Sequence, residues 1–229
     1  MSRCVLDAIS LDGSLEVMGL GPEGVPVQTS VANFNSKTLC MYHNSALSPL
    51  DTLADRFFQK LTFGGETKSE TVYGFNGHDL ERWFLKCLLG FGGAGLARYK
   101  SIKFPKLNAP SWLLDILFGK GAFEDGLGLY ISRRGELAEA GVSLIVRESS
   151  NPLYTVCGAR VMLTGFQFVL TTSRPPSNPE PNALVGAVHR PSELVFWSRD
   201  GRFKTTLLLG WSPPWKGQTV TMKFSPECD

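Results

Sequence analysis

The sequence predicts an α+β fold, with short strands and three helices first and an antiparallel β-rich part, sheet or sandwich, after them. Three observations carry this. Helical spacing with start and stop signals recurs three times before residue 120. After Gly121, short runs rich in Val, Leu, Phe and Thr alternate with Gly- and Pro-containing turns. Nothing repeats at a fixed period, which sets solenoids and propellers aside. The division predicted is a mixed part, 1–120, and a β-rich part, 121–229, which can share one core.

Residues 1–38 read as strand and loop. The runs 5–9, 15–18 and 25–28 are strand-like, and Asp12-Gly13 between the first two is a hairpin signal. The first helix begins at Ser48-Pro49-Leu50-Asp51. There Ser48 can cap, Pro49 needs no N–H partner in the first turn, and Asp51 favours the positive end of the dipole. Leu50, Leu53, Ala54, Phe57, Phe58 and Leu61 make its apolar face, and Gly64-Gly65 ends it.

Asn76 caps a second helix with Leu80, Trp83, Phe84, Cys87 and Leu88 on its buried face. Gly90-Phe91-Gly92-Gly93-Ala94-Gly95 formally matches Gly-x-Gly-x-x-Gly. It follows a helix instead of a strand, so it reads as a Gly-rich helix break or tight helix contact, not a dinucleotide loop. A third helix runs from Ser111, a third candidate cap, to Gly119. The strands expected beyond it are 127–132, 142–147, 153–157, 159–172, 183–189, 193–198, 203–209 and 219–224. Asp200-Gly201 marks a hairpin turn, and the four prolines of 173–181 exclude strand interior. Phe166, Phe168, Phe196, Trp197 and Trp211 are core candidates, while the loop from Trp211 to Trp215 is a rigid docking candidate.

Composition excludes some classes. Hydrophobic content of 43% is ordinary for a globular chain, and a net charge of +2 is no polyelectrolyte signature. No apolar run is long enough for a signal peptide or a membrane span. Five scattered cysteines do not form a disulfide framework, which points to a reducing, cytoplasmic setting.

The chemistry-bearing residues begin with Cys40-x-x-His43 and Asn44. A Cys-x-x-His pair can supply two ligands of a tetrahedral zinc site. Neither the other cysteines nor His78 and His189 form a second close pair. Cys40-x-x-His43-Asn44 followed by Leu47-Ser48-x-Leu50-Asp51 resembles the second half of an HNH-type (ββα-metal) nuclease motif. It is also similar to a group of uncharacterised bacterial proteins with Cys-x-x-His-Asn-x-x-Leu-Ser-x-Leu-Asp. The resemblance implies that Asn44 braces a β-hairpin, and that Cys40 and His43 are half of a knuckle for zinc or another divalent metal. The motif's first half is missing, since residues 1–39 hold Cys4 alone and no histidine.

From Arg82 to Lys106 there are six basic residues and no acidic ones. Arg98, Lys100, Lys103 and Lys106 interleave with Tyr99 and Phe104, a pattern suited to phosphates and unpaired bases. The expected function is therefore a degenerate HNH-like protein that binds nucleic acid without efficient cleavage. The alternative is a protein-interaction or assembly module, a homo-oligomer included, using Trp112, Phe118 and the loop from Trp211. A second alternative is a metal-dependent nuclease with His43 or His78 as base and Asp79 or Glu81 on a divalent ion.

Overall fold

The computed structural model describes residues 6, 10, 14–17, 27–30, 39–93, 98–99, 102–103, 106, 109–133, 141–148, 154–173, 184–198, 200–211 and 219–222. Among these lie four helices: α1 (Met41–Ala46), α2 (Ser48–Phe63), α3 (Gly77–Gly93) and α4 (Ser111–Leu117). Helix α2 buries Leu50, Ala54, Phe57, Phe58 and Leu61, the stripe its spacing predicts. Its start differs from expectation. Ser48 does not cap it, because α1 runs directly into it through the buried Leu47. The Leu47 N–H donates to His43 O and Asn44 O, and the Ser48 hydroxyl donates backwards to Ser45 O at 2.9 Å. Where the preceding chain is already helical, no first-turn amide is left for that hydroxyl to cap.

A single 3-10 turn, Gly64–Glu66, follows α2. A Cβ on Gly64 would fall on the Phe196 ring, so this glycine lets the helix end approach a strand closely. The cap on α3 is as predicted: Asn76 Oδ1 accepts from Asp79 N at 3.1 Å. The helix does not break at Gly90 but continues to Gly93, since its buried face holds it through the weak helix formers. Likewise Pro110, not Ser111, is the N-cap of α4. That helix closes on Gly119 (φ 76°), with Gly119 N donating to Ile116 O and Lys120 N to Asp115 O. This pair of bonds is the Schellman closure that a left-handed glycine permits.

The β-rich part is two sheets. Strands β6 (Gly128–Arg133), β7 (Gly141–Glu148), β8 (Tyr154–Leu163), β9 (Phe166–Thr171) and β10 (Val188–His189) form an antiparallel sheet in the order β10-β6-β9-β8-β7. The expected single strand 159–172 is two strands, joined by a two-residue turn at Thr164 (φ 50°) and Gly165 (φ 77°). Gly158, expected as a strand boundary, lies inside β8, where a Cβ would strike Leu170 O. The expected strand 183–189 shrinks to two residues after a turn at 184–187.

The second sheet orders β13 (Thr219–Met222), β11 (Glu193–Trp197), β12 (Lys204–Gly210) and β3 (Thr71–Asn76). It is mixed, not antiparallel. β11 and β12 form the predicted hairpin, but β13 runs parallel to β11 and β3 parallel to β12. Near the N-terminus β1 (Ser14–Val17) pairs with β2 (Val27–Ser30), and the expected Asp12-Gly13 turn lies outside the described residues.

Phe168 is central to the core. It packs against Phe57, Phe58 and Phe84 with ring centroids 5.6–5.8 Å apart, while Phe166 meets Phe196 of the other sheet at 6.2 Å. Each such fully buried phenylalanine contributes about 1.5–3 kcal/mol of transfer free energy. Phe166, Phe168 and Phe196 are core, as predicted, whereas Trp197 and Trp211 are half-buried at its edge. No helix of the described residues is long and apolar enough to cross a membrane.

Candidate functional site

Two groupings of polar side chains stand out, one inside the fold and one on its surface. The inner one starts at Glu81. Its spacing puts it on the same stripe of α3 as Leu85 and Leu88, and it is 2% exposed. A carboxylate there requires a partner, and Arg190, 3% exposed, supplies it. Arg190 Nε donates to Oε1 at 3.0 Å and Nη2 to Oε2 at 2.9 Å, a bidentate pair. The Leu129 N–H donates to Oε1 at 2.7 Å. Arg190 itself takes a left-handed backbone conformation (φ 47°) while its N–H donates to Leu129 O. Gly128, beside the carboxylate at φ 106°, has to be glycine, because a Cβ would collide with Oε1.

Aromatic and imidazole rings close this node. Trp211 lies 5.6 Å from the Arg190 guanidinium and donates from Nε1 to Pro191 O at 2.7 Å. His78 packs edge-on to Trp211 at 5.3 Å, with its Nδ1 4.0 Å from Glu81 Oε2. His189 stacks on Tyr130 at 4.6 Å and donates from Nε2 to Leu127 O at 2.8 Å. Burial, then the Arg190 charge, holds the His78 imidazole below its ordinary value, with Asp79 pulling weakly the other way. Burial lowers His189 too, offset in part by the bond to Leu127 O. Burial pushes the Glu81 carboxyl up, and Arg190 and the Leu129 N–H draw it back. With both oxygens engaged, Glu81 serves as a cross-tie between α3, β6 and the end of β10, not as an accessible base. Arg190 carried no sequence signal. Glu81 did, as an acid on an apolar stripe.

The outer grouping holds the motif residues. Every residue of α1 is exposed; Met41 is 86% and Tyr42 79% exposed. Cys40, just ahead of α1, places Sγ 3.1 Å from His43 Nδ1. The His43 ring packs on Phe118, just past the end of α4, with centroids 5.4 Å apart, and on Tyr42 at 5.6 Å. Leu114, one turn before Phe118 on α4, is 40% exposed. Asn44 is exposed on α1, and its side chain bonds to none of the described residues.

The structure thus brings Cys40 and His43 together, while His78, Asp79 and Glu81 are engaged elsewhere. Asp79 Oδ1 accepts from Arg82 Nη1 at 2.7 Å, and Asp51 Oδ2 from Lys86 Nζ at 2.6 Å. Arg82 also donates to Leu117 O, at the negative end of α4. Two of the six cations in the basic run therefore hold helices together. Arg98 and Lys103 are register partners across a short hairpin, β4 (Arg98–Tyr99) with β5 (Ile102–Lys103). Lys106 is exposed, and Lys100 lies outside the described residues. Among the described residues no three His, Cys, Asp or Glu side chains cluster as a metal site. No family model, no curated protein and no solved structure matches this chain.

Proposed function

We propose that this chain is a protein-recognition module whose docking face is the ridge of Tyr42, His43, Phe118 and Leu114. The observation that carries it is α1. A six-residue helix has little intrinsic stability, and this one buries none of its side chains. It nevertheless displays a methionine and a tyrosine almost fully to water beside the partly covered Phe118. Tyrosine and methionine are residue types enriched at the centre of protein interfaces, where a few anchors supply most of the affinity.

The test is affinity enrichment with the wild-type chain against a Tyr42→Ser/Leu114→Ser variant of unchanged circular dichroism, with sedimentation velocity to detect self-association. A partner, or a second copy, held by the wild type and lost in the variant is the expected result. The same partners on both proteins, or none with either, would reject the proposal.

Nucleic-acid binding is a second function that one observation favours. The β4–β5 hairpin sets Arg98 directly across from Lys103, within a basic run that continues to the exposed Lys106. Binding of single-stranded DNA or RNA that weakens steeply with salt, and is lost when Arg98, Lys100, Lys103 and Lys106 become Ala, is its signature. Salt-insensitive binding would dismiss it.

A further inference from the structure

We infer that Cys40 and His43 form a reactive thiol–imidazole dyad, and that Cys40 is a site of thiol–disulfide exchange with small disulfides. Three features converge on it. Sγ lies within hydrogen-bond reach of His43 Nδ1 at 3.1 Å. The imidazole is not merely a neighbour in the same turn, because its ring is braced by Phe118 from a distant part of the chain. Nucleophile, base and an element that orients the base are the parts from which activated thiols are assembled. Finally, Cys40 is exposed, whereas Cys87 and Cys157 are buried within the fold. A reactive thiol must be reachable by its reagent, and among these three described cysteines Cys40 alone is exposed.

The step balances without an external oxidant beyond the disulfide itself. As Cys40 Sγ attacks one sulfur of R–S–S–R, its proton passes to His43 Nδ1. The S–S bond breaks, Sγ–S–R forms, and the departing thiolate recovers the proton from the imidazolium to leave as R–SH. Cys40 is oxidised and one half of the disulfide is reduced. The exposed ring and thioether beside it, Tyr42 and Met41, suit an aromatic disulfide best.

The dyad does not depend on the docking proposal, and its test uses different variants. The native protein is mixed with an aromatic disulfide whose released thiolate is coloured, and thiolate release is followed with time. A fast phase of one thiol per chain is expected, absent in Cys40→Ser and slowed about tenfold or more in His43→Gln. Peptide mapping after exposure to oxidised glutathione should place the adduct on Cys40. A fast phase that survives Cys40→Ser, or a rate unchanged in His43→Gln, would overturn the inference. Because α1 buries no side chain, both variants should keep the native circular dichroism spectrum. Phe118→Ala supplies an independent check: the rate should fall if the ring orients the base and stay constant if it does not.

Discussion

Arg190 and Glu81 meet at 2.9 Å with both side chains buried; Cys40 and His43 meet at 3.1 Å with both exposed. The separations are alike and the consequences opposite. Inside the fold a buried charge must be matched, so Glu81 takes Arg190 on both oxygens and the Leu129 N–H on one of them. At the surface water satisfies what the protein does not, so the thiol and imidazole remain open to a reagent. Of the two pairs, the buried one serves architecture and the exposed one stays accessible.

The largest expected effect breaks the inner pair. Arg190→Met should cost about 3–5 kcal/mol in urea unfolding, because it strands the Glu81 charge in the core. Glu81→Leu/Arg190→Met should recover part of that loss, since removing both charges removes the desolvation cost as well. A single variant as stable as the wild type would show that the pair is not a cross-tie.

Next in size is Gly128→Ala, which forces a Cβ towards Glu81 Oε1 from a left-handed backbone. A loss of about 2 kcal/mol or more in the same assay is expected. An unchanged midpoint would mean that the carboxylate can move aside.

The third effect depends on pH. His78 and His189 are both held below their ordinary value near 6.5, so the unfolded chain takes up protons that the folded chain refuses. Their contribution to stability is therefore unaffected well above that value and turns unfavourable as pH falls through it. Glu81, with its carboxyl raised, contributes slopes of the opposite sign in acid. The difference between wild type and His78→Gln/His189→Gln, followed by urea midpoints down to about pH 5, isolates the histidines. The wild type should lose more stability than the variant; parallel curves would refute it.

The smallest effect is at the ridge. Met41→Ser and Tyr42→Ser should change stability by no more than about 0.5 kcal/mol, because neither side chain packs in the core. A larger loss would reclassify α1 as part of the architecture.

How much of the molecule was legible in the sequence depends on how local each signal is. The stripe of Leu50, Ala54, Phe57, Phe58 and Leu61 specifies α2 by itself, and the cap at Asn76 needs only three residues. Ser48 misled because a capping residue is recognised from the residues after it, while its true role was set by the helix before it. Gly158 was mistaken for a strand boundary and the Thr164-Gly165 turn was missed, because only the approach of Leu170 O explains the first glycine. The parallel pairings of β3 and β13 leave no local mark. At the sites, the spacing of Cys40 and His43 pointed to metal ligands, and the direct contact of the thiol with the imidazole was not foreseen. The bracing by Phe118 and the capture of Glu81 by Arg190 arise only when distant segments meet.

The pairing of β3 with β12 also bears on how the molecule is made. β3 takes its one described strand partner from near the other end of the chain, and α3 follows β3 directly. During synthesis the first half emerges with an edge that nothing yet made can satisfy, and the sheet closes only after β12 has left the ribosome. Such late, long-range closure is slow and leaves strand edges open to wrong neighbours in the meantime. A nascent chain halted before residue 204 should consequently be a substrate for chaperones and proteases, not half of a working protein.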